Sequence, residues 1–215
     1  MNSRRIILWR HGRTTWNAER RFQGQTDVPL DATGVAQAAR AAKVLARLEP
    51  QRIVSSDLSR ARATADALAA VTGLDVQEDT RLRETFAGEW QGLTRTELET
   101  RFGPELRQWA AGSDVRPGGG ETRREVADRM VAAVTSTMVE LTAGQTLVVA
   151  THGGAARAAI GALLGLPPEH WAALGVLANC AWSVLEENTS GHGPAWRLQE
   201  YNAGSLPVTA LADDR

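Results

Sequence analysis

The chain has 215 residues, 43% of them hydrophobic, and a formal net charge of -1, which suits one domain with a core of its own. That balance creates no overall field to draw in nucleic acid or an anionic membrane. A single cysteine, Cys180, excludes an intrachain disulfide framework and a four-cysteine zinc site, and no apolar run reaches the roughly 18 residues a bilayer span needs.

In chain order, residues 4–9 read as a buried strand. The apolar run after Arg4 and Arg5 is too short for a secretory leader, so a cytoplasmic setting is expected. Residues 14–20 read as a loop or short helix. Asp31 or Thr33 caps a helix whose small apolar residues recur at helical spacing to Leu48, with Pro50 as its stop. Residues 52–55 form a second strand. A helix opens at Ser56-Asp57 and runs to about Thr72, ended by Gly73, and residues 74–78 suit a third strand. Residues 86–120 carry Trp90, Trp109 and several glycines and prolines without a long period. They read as a lid-like insertion over the sheet edge, with helices at 94–102 and 104–111 and a flexible hinge at Pro117-Gly118-Gly119-Gly120. A long helix follows from Glu121 to about Leu141. Residues 146–150, TLVVA, are a β-branched strand, residues 153–164 a helix, and residues 179–185 and 195–201 a hairpin. The expected fold is α/β: a three-layer α/β/α sandwich with a mostly parallel central sheet, as one domain over residues 1–215. Alternating strands and helices cover both sheet faces, and ligands then bind at the carboxyl ends of the strands.

The unusual polar residues cluster at those ends. Arg10-His11-Gly12 follows the first strand, and the stretch from Ser55 to Arg60 follows the second. Arg83-Glu84 precedes the irregular middle, and Thr151-His152-Gly153-Gly154 follows TLVVA. Arginine forks bind phosphate bidentately, and the N–H groups of Gly12 and Gly153 can add donors where glycine admits a close approach. Cations beside an imidazole push it toward its neutral, nucleophilic form. Arg10 would thus keep His11 uncharged while helping to hold the phosphoryl group that His11 attacks. Glu84 would protonate the leaving oxygen and later activate water.

Taken singly, these residues mean little. A lone histidine is more often a satisfied strand-end residue, Arg60 a solvated helix residue and Glu84 a surface carboxylate. Zinc held by His11, His152 and Glu84 is the rival chemistry, and the adjacent arginine argues against it. Lys43 is the only lysine, but arginine abundance in a chain rich in alanine and glycine reads as genomic bias. Cys180 reads as strand packing, as do Trp171 and Trp182. His170 and His192 receive no role. No dinucleotide or P-loop fingerprint is present.

Five ordered blocks then carry a resemblance: LWRHGRTTWN, FQGQTDVPLDATGVAQA, IVSSDLSRARATA, RLRETFAGEWQGLT and VVATHGGAARA. Together they resemble the histidine phosphatase superfamily, the phosphoglycerate-mutase-like proteins. The resemblance implies His11 as the phosphorylated nucleophile, and Arg10, Arg60 and His152 as the phosphate pocket. It implies Asn17 as a further phosphate contact, Glu84 as proton donor, Gln23 and Gly24 at the substrate entrance, and Gly153 as an amide donor. It implies no metal or organic cofactor, a small phosphorylated metabolite as substrate, neither nucleic acid nor membrane as partner, and compatibility with a homodimer. Mutases of this superfamily usually carry tryptophan after the Gly24 position and a longer insertion. Gln25 and the short middle segment therefore favour a phosphatase. A mutase-type phosphotransferase, an α-ribazole phosphatase and a broad-specificity phosphatase stay open as alternatives, as does a binding module that has lost catalysis. Phe86, Trp90 and residues 106–109 are candidate substrate contacts or packing.

Overall fold

The computed structural model describes residues 3–204, so both ends of the expected 1–215 domain lie outside the described residues. Six strands form one sheet in the order β3-β2-β4-β1-β5-β6: β1 (Arg5–Arg10), β2 (Arg52–Ser55), β3 (Val76–Glu78), β4 (Thr146–Thr151), β5 (Trp182–Glu187) and β6 (Trp196–Ala203). The first four run parallel, and β5 is antiparallel to β1 and to β6. The expected hairpin is therefore present.

Period-2 alternation divides the core. Ile6, Leu8, Leu147 and Val149 point to one face, and Ile7, Trp9, Val148 and Ala150 to the other. The first face is covered by α5 (Arg123–Met138) and α6 (Gly153–Leu163), the second by α2 (Ala32–Leu45) and α3 (Ser59–Thr72). A single-turn helix, α1 (Thr15–Ala18), lies in the loop after β1. This is the three-layer sandwich the patterning predicts. Among the described residues no helix is long and apolar enough to cross a membrane.

Local signals explain most boundaries. Asp31 caps α2 by accepting from Gly34 N at 2.8 Å, and Gly73 ends α3 at φ +74°. The start of α3 differs from expectation. It begins at Ser59, and its cap is remote: Asp27 Oδ1 accepts Ser59 N at 2.9 Å. The fifth strand also begins later than its apolar pattern suggests. Residues 178–181 form a turn with Cys180 at φ +58°, and β5 starts at Trp182.

The middle segment has a small core of its own. Trp90 meets Phe22 edge-on at 5.5 Å and Trp109 at 5.9 Å, over Ala87, Leu98 and Leu106. Its helix α4 (Arg95–Ala110) breaks at Phe102, because Pro104 lacks an N–H and its ring crowds the preceding turn. Two helical pieces result, as expected. The segment meets the site at the strand ends, where its Trp109 lines the cavity wall. It is pinned to the loop after β1 by Phe22 N to Leu93 O (2.9 Å) and Gly92 N to Phe22 O (2.8 Å). The expected hinge at residues 117–120 is a correction. A Cβ on Gly118 would lie 2.5 Å from Ala87 O, and one on Gly120 1.8 Å from Phe86 O. These glycines permit close packing and do not act as a swivel.

Candidate active site

Four chain segments bring the site together at the carboxyl ends of the parallel strands. Arg10 ends β1 opposite Thr151 of β4, and His11 N donates to Thr151 O at 2.9 Å. His152 follows β4 directly as the cap residue of α6. The two imidazole centroids are 5.2 Å apart. Nδ1 of His11 lies 2.7 Å from Gly12 O. A carbonyl only accepts, so Nδ1 carries the ring proton and Nε2 keeps its lone pair. Burial, then Arg60, then Arg10, holds the His11 pKa well below its ordinary value. The opening of the chain thus builds a neutral, fixed imidazole.

Arg60 sits in the first turn of α3 with no exposed surface. It donates to Thr26 O at 2.8 Å and Gly24 O at 2.7 Å. Burial lowers its pKa to about 10, leaving it cationic at neutral pH. His152 is fully buried and kept neutral first by that burial and then by Arg60. Its Nε2 lies 2.9 Å from Ser56 Oγ. Ser56 Oγ accepts from Leu58 N and can donate its own proton to Nε2, the arrangement in which the His152 ring proton stands on Nδ1. That Nδ1 and Nε of Arg60 are buried with no hydrogen-bond partner. Buried donors are nearly always satisfied, so two orphans in one cradle mark donors held for a ligand.

Glu84 reaches the same place from the segment after β3. Its Oε1 accepts from Thr85 N (2.8 Å) and Ala155 N (2.9 Å), and its Oε2 from Gly154 N (2.9 Å). The N-terminus of α6 therefore aims the carboxylate. Arg129 fixes the backbone beneath it by donating to Arg83 O (2.6 Å) and Glu84 O (2.9 Å), while Glu121 pairs with Arg129 at 2.8 Å. Gln25 Nε2 also donates to Glu84 O at 3.0 Å.

A cavity of about 190 Å³ joins Arg10, His11, Asn17, Gln23, Gly24, Arg60 and Glu84. Of the residues expected to bind substrate, Asn17 and Gln23 are linked through Thr14 Oγ1, which lies 3.1 Å from Asn17 Oδ1 and 3.0 Å from Gln23 Oε1. Gly24 adopts φ +54°, where a Cβ would strike Gln91. Gly153 opens α6 beside Arg10, whose Nε lies 3.2 Å from where a Cβ would stand. A second, open cleft of about 700 Å³ abuts the cavity, sharing Arg10, Asn17, Arg21, Phe22 and Trp109 with it.

Several residues here escaped the sequence reading. Asn179 Nδ2 donates to His11 O at 3.1 Å, from the turn mistaken for strand. Arg157 and Arg21 line the cavity wall. Of the candidate contacts, Trp109 lines the cavity, Trp90 and Leu106 are buried packing, and Phe86 is 43% exposed. Cys180 is buried, and burial pushes its thiol up to about 12, which leaves it inert. Trp171 and Trp182 are buried in the core as expected. Among the described residues no group of three or more His, Cys, Asp or Glu side chains is placed to hold a metal ion.

A neutral histidine, two buried arginines and a helix-aimed carboxylate at parallel strand ends are groups of the kind phosphoryl transfer needs. The description of the histidine phosphatase superfamily (branch 1) matches residues 6–203, and the chain belongs to that family. It is an enzyme, a phosphatase that works through a phosphohistidine intermediate. It is 40% identical to glucosyl-3-phosphoglycerate phosphatase of Mycolicibacterium vanbaalenii over 218 residues, covering 95% of this chain and 97% of that protein. It is 38% identical to the probable phosphoglycerate mutase GpmB of Salmonella paratyphi C over 187 residues, 86% of each chain. The solved mycobacterial glucosyl-3-phosphoglycerate phosphatase in complex with VO3 superimposes with a TM-score of 0.86 at 41% identity, covering 94% of this chain and 100% of that one.

Proposed function

We propose that this phosphatase hydrolyses glucosyl-3-phosphoglycerate, with no metal or organic cofactor taking part. The observation that carries the substrate is the 40% identity to phosphatases of that name, spanning nearly the whole of both chains. It is supported by the C-terminal segments WAALGVLANCAWSVL and WRLQEYNAG, which resemble that enzyme outside the catalytic blocks. The open cleft beside the catalytic cavity offers room for a glycosyl group. The same reading keeps the enzyme in the cytoplasm, where phosphorylated metabolites are made and consumed.

In this mechanism Nε2 of His11 attacks phosphorus in line with the leaving oxygen. Arg10, Arg60 and Nδ1–H of His152 hold the phosphoryl oxygens and neutralise their charge. Asn17, Gln23 and the Gly153 amide complete the cradle, with Gly24 shaping its entrance. Glu84 delivers a proton to the leaving alcohol. Its Oε2 holds only one N–H bond, so a lone pair remains for that transfer. Glu84 then takes a proton from the water that attacks phosphohistidine, releasing inorganic phosphate and restoring His11.

The test is phosphate release, with EDTA present, from glucosyl-3-phosphoglycerate, 3-phosphoglycerate, α-ribazole phosphate and p-nitrophenyl phosphate. A kcat/KM at least about tenfold higher for glucosyl-3-phosphoglycerate is expected. Preference for α-ribazole phosphate, or exchange between phosphoglycerate isomers without phosphate release, would overturn the substrate assignment.

A further inference from the structure

Arg157 has no task in the chemistry above. It lies on α6 three residues after Gly154, and both line the catalytic cavity with His11, Glu84, Thr85 and Val176. Residues three apart on a helix share a face. Glu84 occupies the first turn of that face, through Gly154 N and Ala155 N. Arg157 occupies the next turn.

Its guanidinium makes no hydrogen bond or ion pair with any described residue. Arg129, which fixes the backbone beneath Glu84, is by contrast engaged by Glu121 and by three backbone carbonyls. Arg157 is half-buried in the cavity wall, so its guanidinium faces the cavity and not a protein partner; burial lowers its pKa, with Tyr201 and Glu84 the charges that oppose this. The cations that bear on His11 are Arg60 and Arg10. The phosphoryl charge is therefore met without Arg157.

The reaction geometry says what remains for it. In-line displacement puts the leaving oxygen on the side of phosphorus away from His11. Glu84 marks where that oxygen must sit to be protonated. The rest of the leaving alcohol extends past Glu84, along the face of α6 where Arg157 stands. A planar guanidinium fork in a half-buried wall matches a carboxylate bidentately.

We propose that Arg157 is a specificity-determining residue that binds a carboxylate on the leaving alcohol, so that the substrates are phosphorylated hydroxy acids. The inference rests on the phosphatase reading above and adds the group by which that site selects its substrate. It gives the half-buried guanidinium in the cavity wall an anionic partner.

The experiment compares 3-phosphoglycerate with glycerol 1-phosphate, which has a hydroxymethyl group in place of the carboxylate, and with p-nitrophenyl phosphate. Wild type, Arg157→Met and Arg157→Lys are assayed after thermal melts confirm folding. Wild type should favour the acid by at least about 30-fold in kcat/KM. Arg157→Met should lose roughly 10²-fold on 3-phosphoglycerate, mainly through KM, and at least tenfold less on the two substrates without a carboxylate. Arg157→Lys should recover part of the preference, since it keeps the charge but not the fork. No preference in wild type, or equal losses on all three substrates, would overturn the proposal. Should Arg157→Met fail to fold, the wild-type ratio and Arg157→Lys decide. A wild type that releases no phosphate from p-nitrophenyl phosphate and forms no acid-labile phosphohistidine would instead overturn the phosphatase reading itself.

Discussion

The floor of the cavity and the insertion beside it are held in different ways. His11, Arg60 and His152 are 3%, 0% and 0% exposed; the two histidines directly follow β1 and β4, and Arg60 stands in the first turn of α3, packed against the sheet. Residues 86–120 rest on a separate aromatic cluster around Trp90, joined to the rest by the loop after β1 and by close glycine contacts. The floor is part of the sheet and cannot shift without disturbing the core. The insertion can change side chains without touching the sheet. Chemistry common to every substrate belongs on the first, and discrimination between leaving groups belongs where the insertion and α6 meet the cavity.

The largest test of that division is His11→Ala. Loss of the nucleophile should cut turnover by about 10⁴-fold or more on every substrate while far-ultraviolet circular dichroism stays native. Substantial residual phosphate release would mean that the nucleophile lies elsewhere. Glu84→Gln should follow, with losses of about 10²–10³-fold on alkyl phosphates and much smaller losses on p-nitrophenyl phosphate, whose leaving group needs no proton. The amide oxygen can still accept from Thr85 N and Ala155 N, while Gly154 N loses its acceptor, so thermal melts accompany the assay. Equal losses on both kinds of ester would count against an acid role and would place Glu84 with the structural residues.

The same contrast explains what was legible in the sequence. Arg10-His11 and His152-Gly153 stand out because an apolar run predicts a strand, and a polar residue at its carboxyl end has no packing reason to be there. Arg157 does not stand out. An arginine amid the alanines of α6 carries the pattern of a solvated helix position, and only tertiary packing brings it, half-buried, into the cavity wall. Asn179 was hidden by a turn whose apolar neighbours, Ala178, Cys180 and Ala181, mimic the strand that follows. Residues 117–120 misled for another reason. Glycine serves both freedom and close approach, and only the contacts of Gly118 and Gly120 with Phe86 and Ala87 separate the two. Trp90 and Trp109 are alike in sequence, yet one is sealed in packing and the other lines the cavity.

A pH dependence follows from the buried floor. His11 and His152 both have pKa values well below their ordinary 6.5, burial being the main cause and Arg60 the next. Below pH 6.5 the unfolded chain protonates these imidazoles and the folded chain does not. The unfolded state then binds more protons, so stability falls as pH drops, by about 1.4 kcal/mol per unit for each histidine. Urea midpoints measured from pH 7 to 5.5 should decline, and His11→Asn should make the decline shallower. The window is separate from that of Asp57 and Asp79. Pairing with Arg83 and Arg81 holds those carboxyls below their ordinary 3.8, so their contribution is lost only at more acidic pH. A flat midpoint between pH 7 and 5.5 would mean that the two histidines take up protons in the folded protein as they do in the unfolded chain, and that burial does not depress their pKa values.

The smallest effect is expected on the insertion side, at Trp109. Its ring lies over the guanidinium of Arg123 at 4.7 Å and packs edge-on against Phe22 at 5.6 Å, while it also lines both the catalytic cavity and the open cleft. Trp109→Phe keeps an aromatic for Phe22 but gives up part of the wall. About 1 kcal/mol of apolar contact is at stake. KM for a large ester such as glucosyl-3-phosphoglycerate should therefore rise roughly fivefold, and kcat should change by less than about twofold, because nothing on the floor has moved. For p-nitrophenyl phosphate both constants should stay within about twofold. A fall in kcat shared by both substrates would show that Trp109 supports the alignment of Glu84 or His11, and the separation between a catalytic floor and a selective insertion would not hold at that residue.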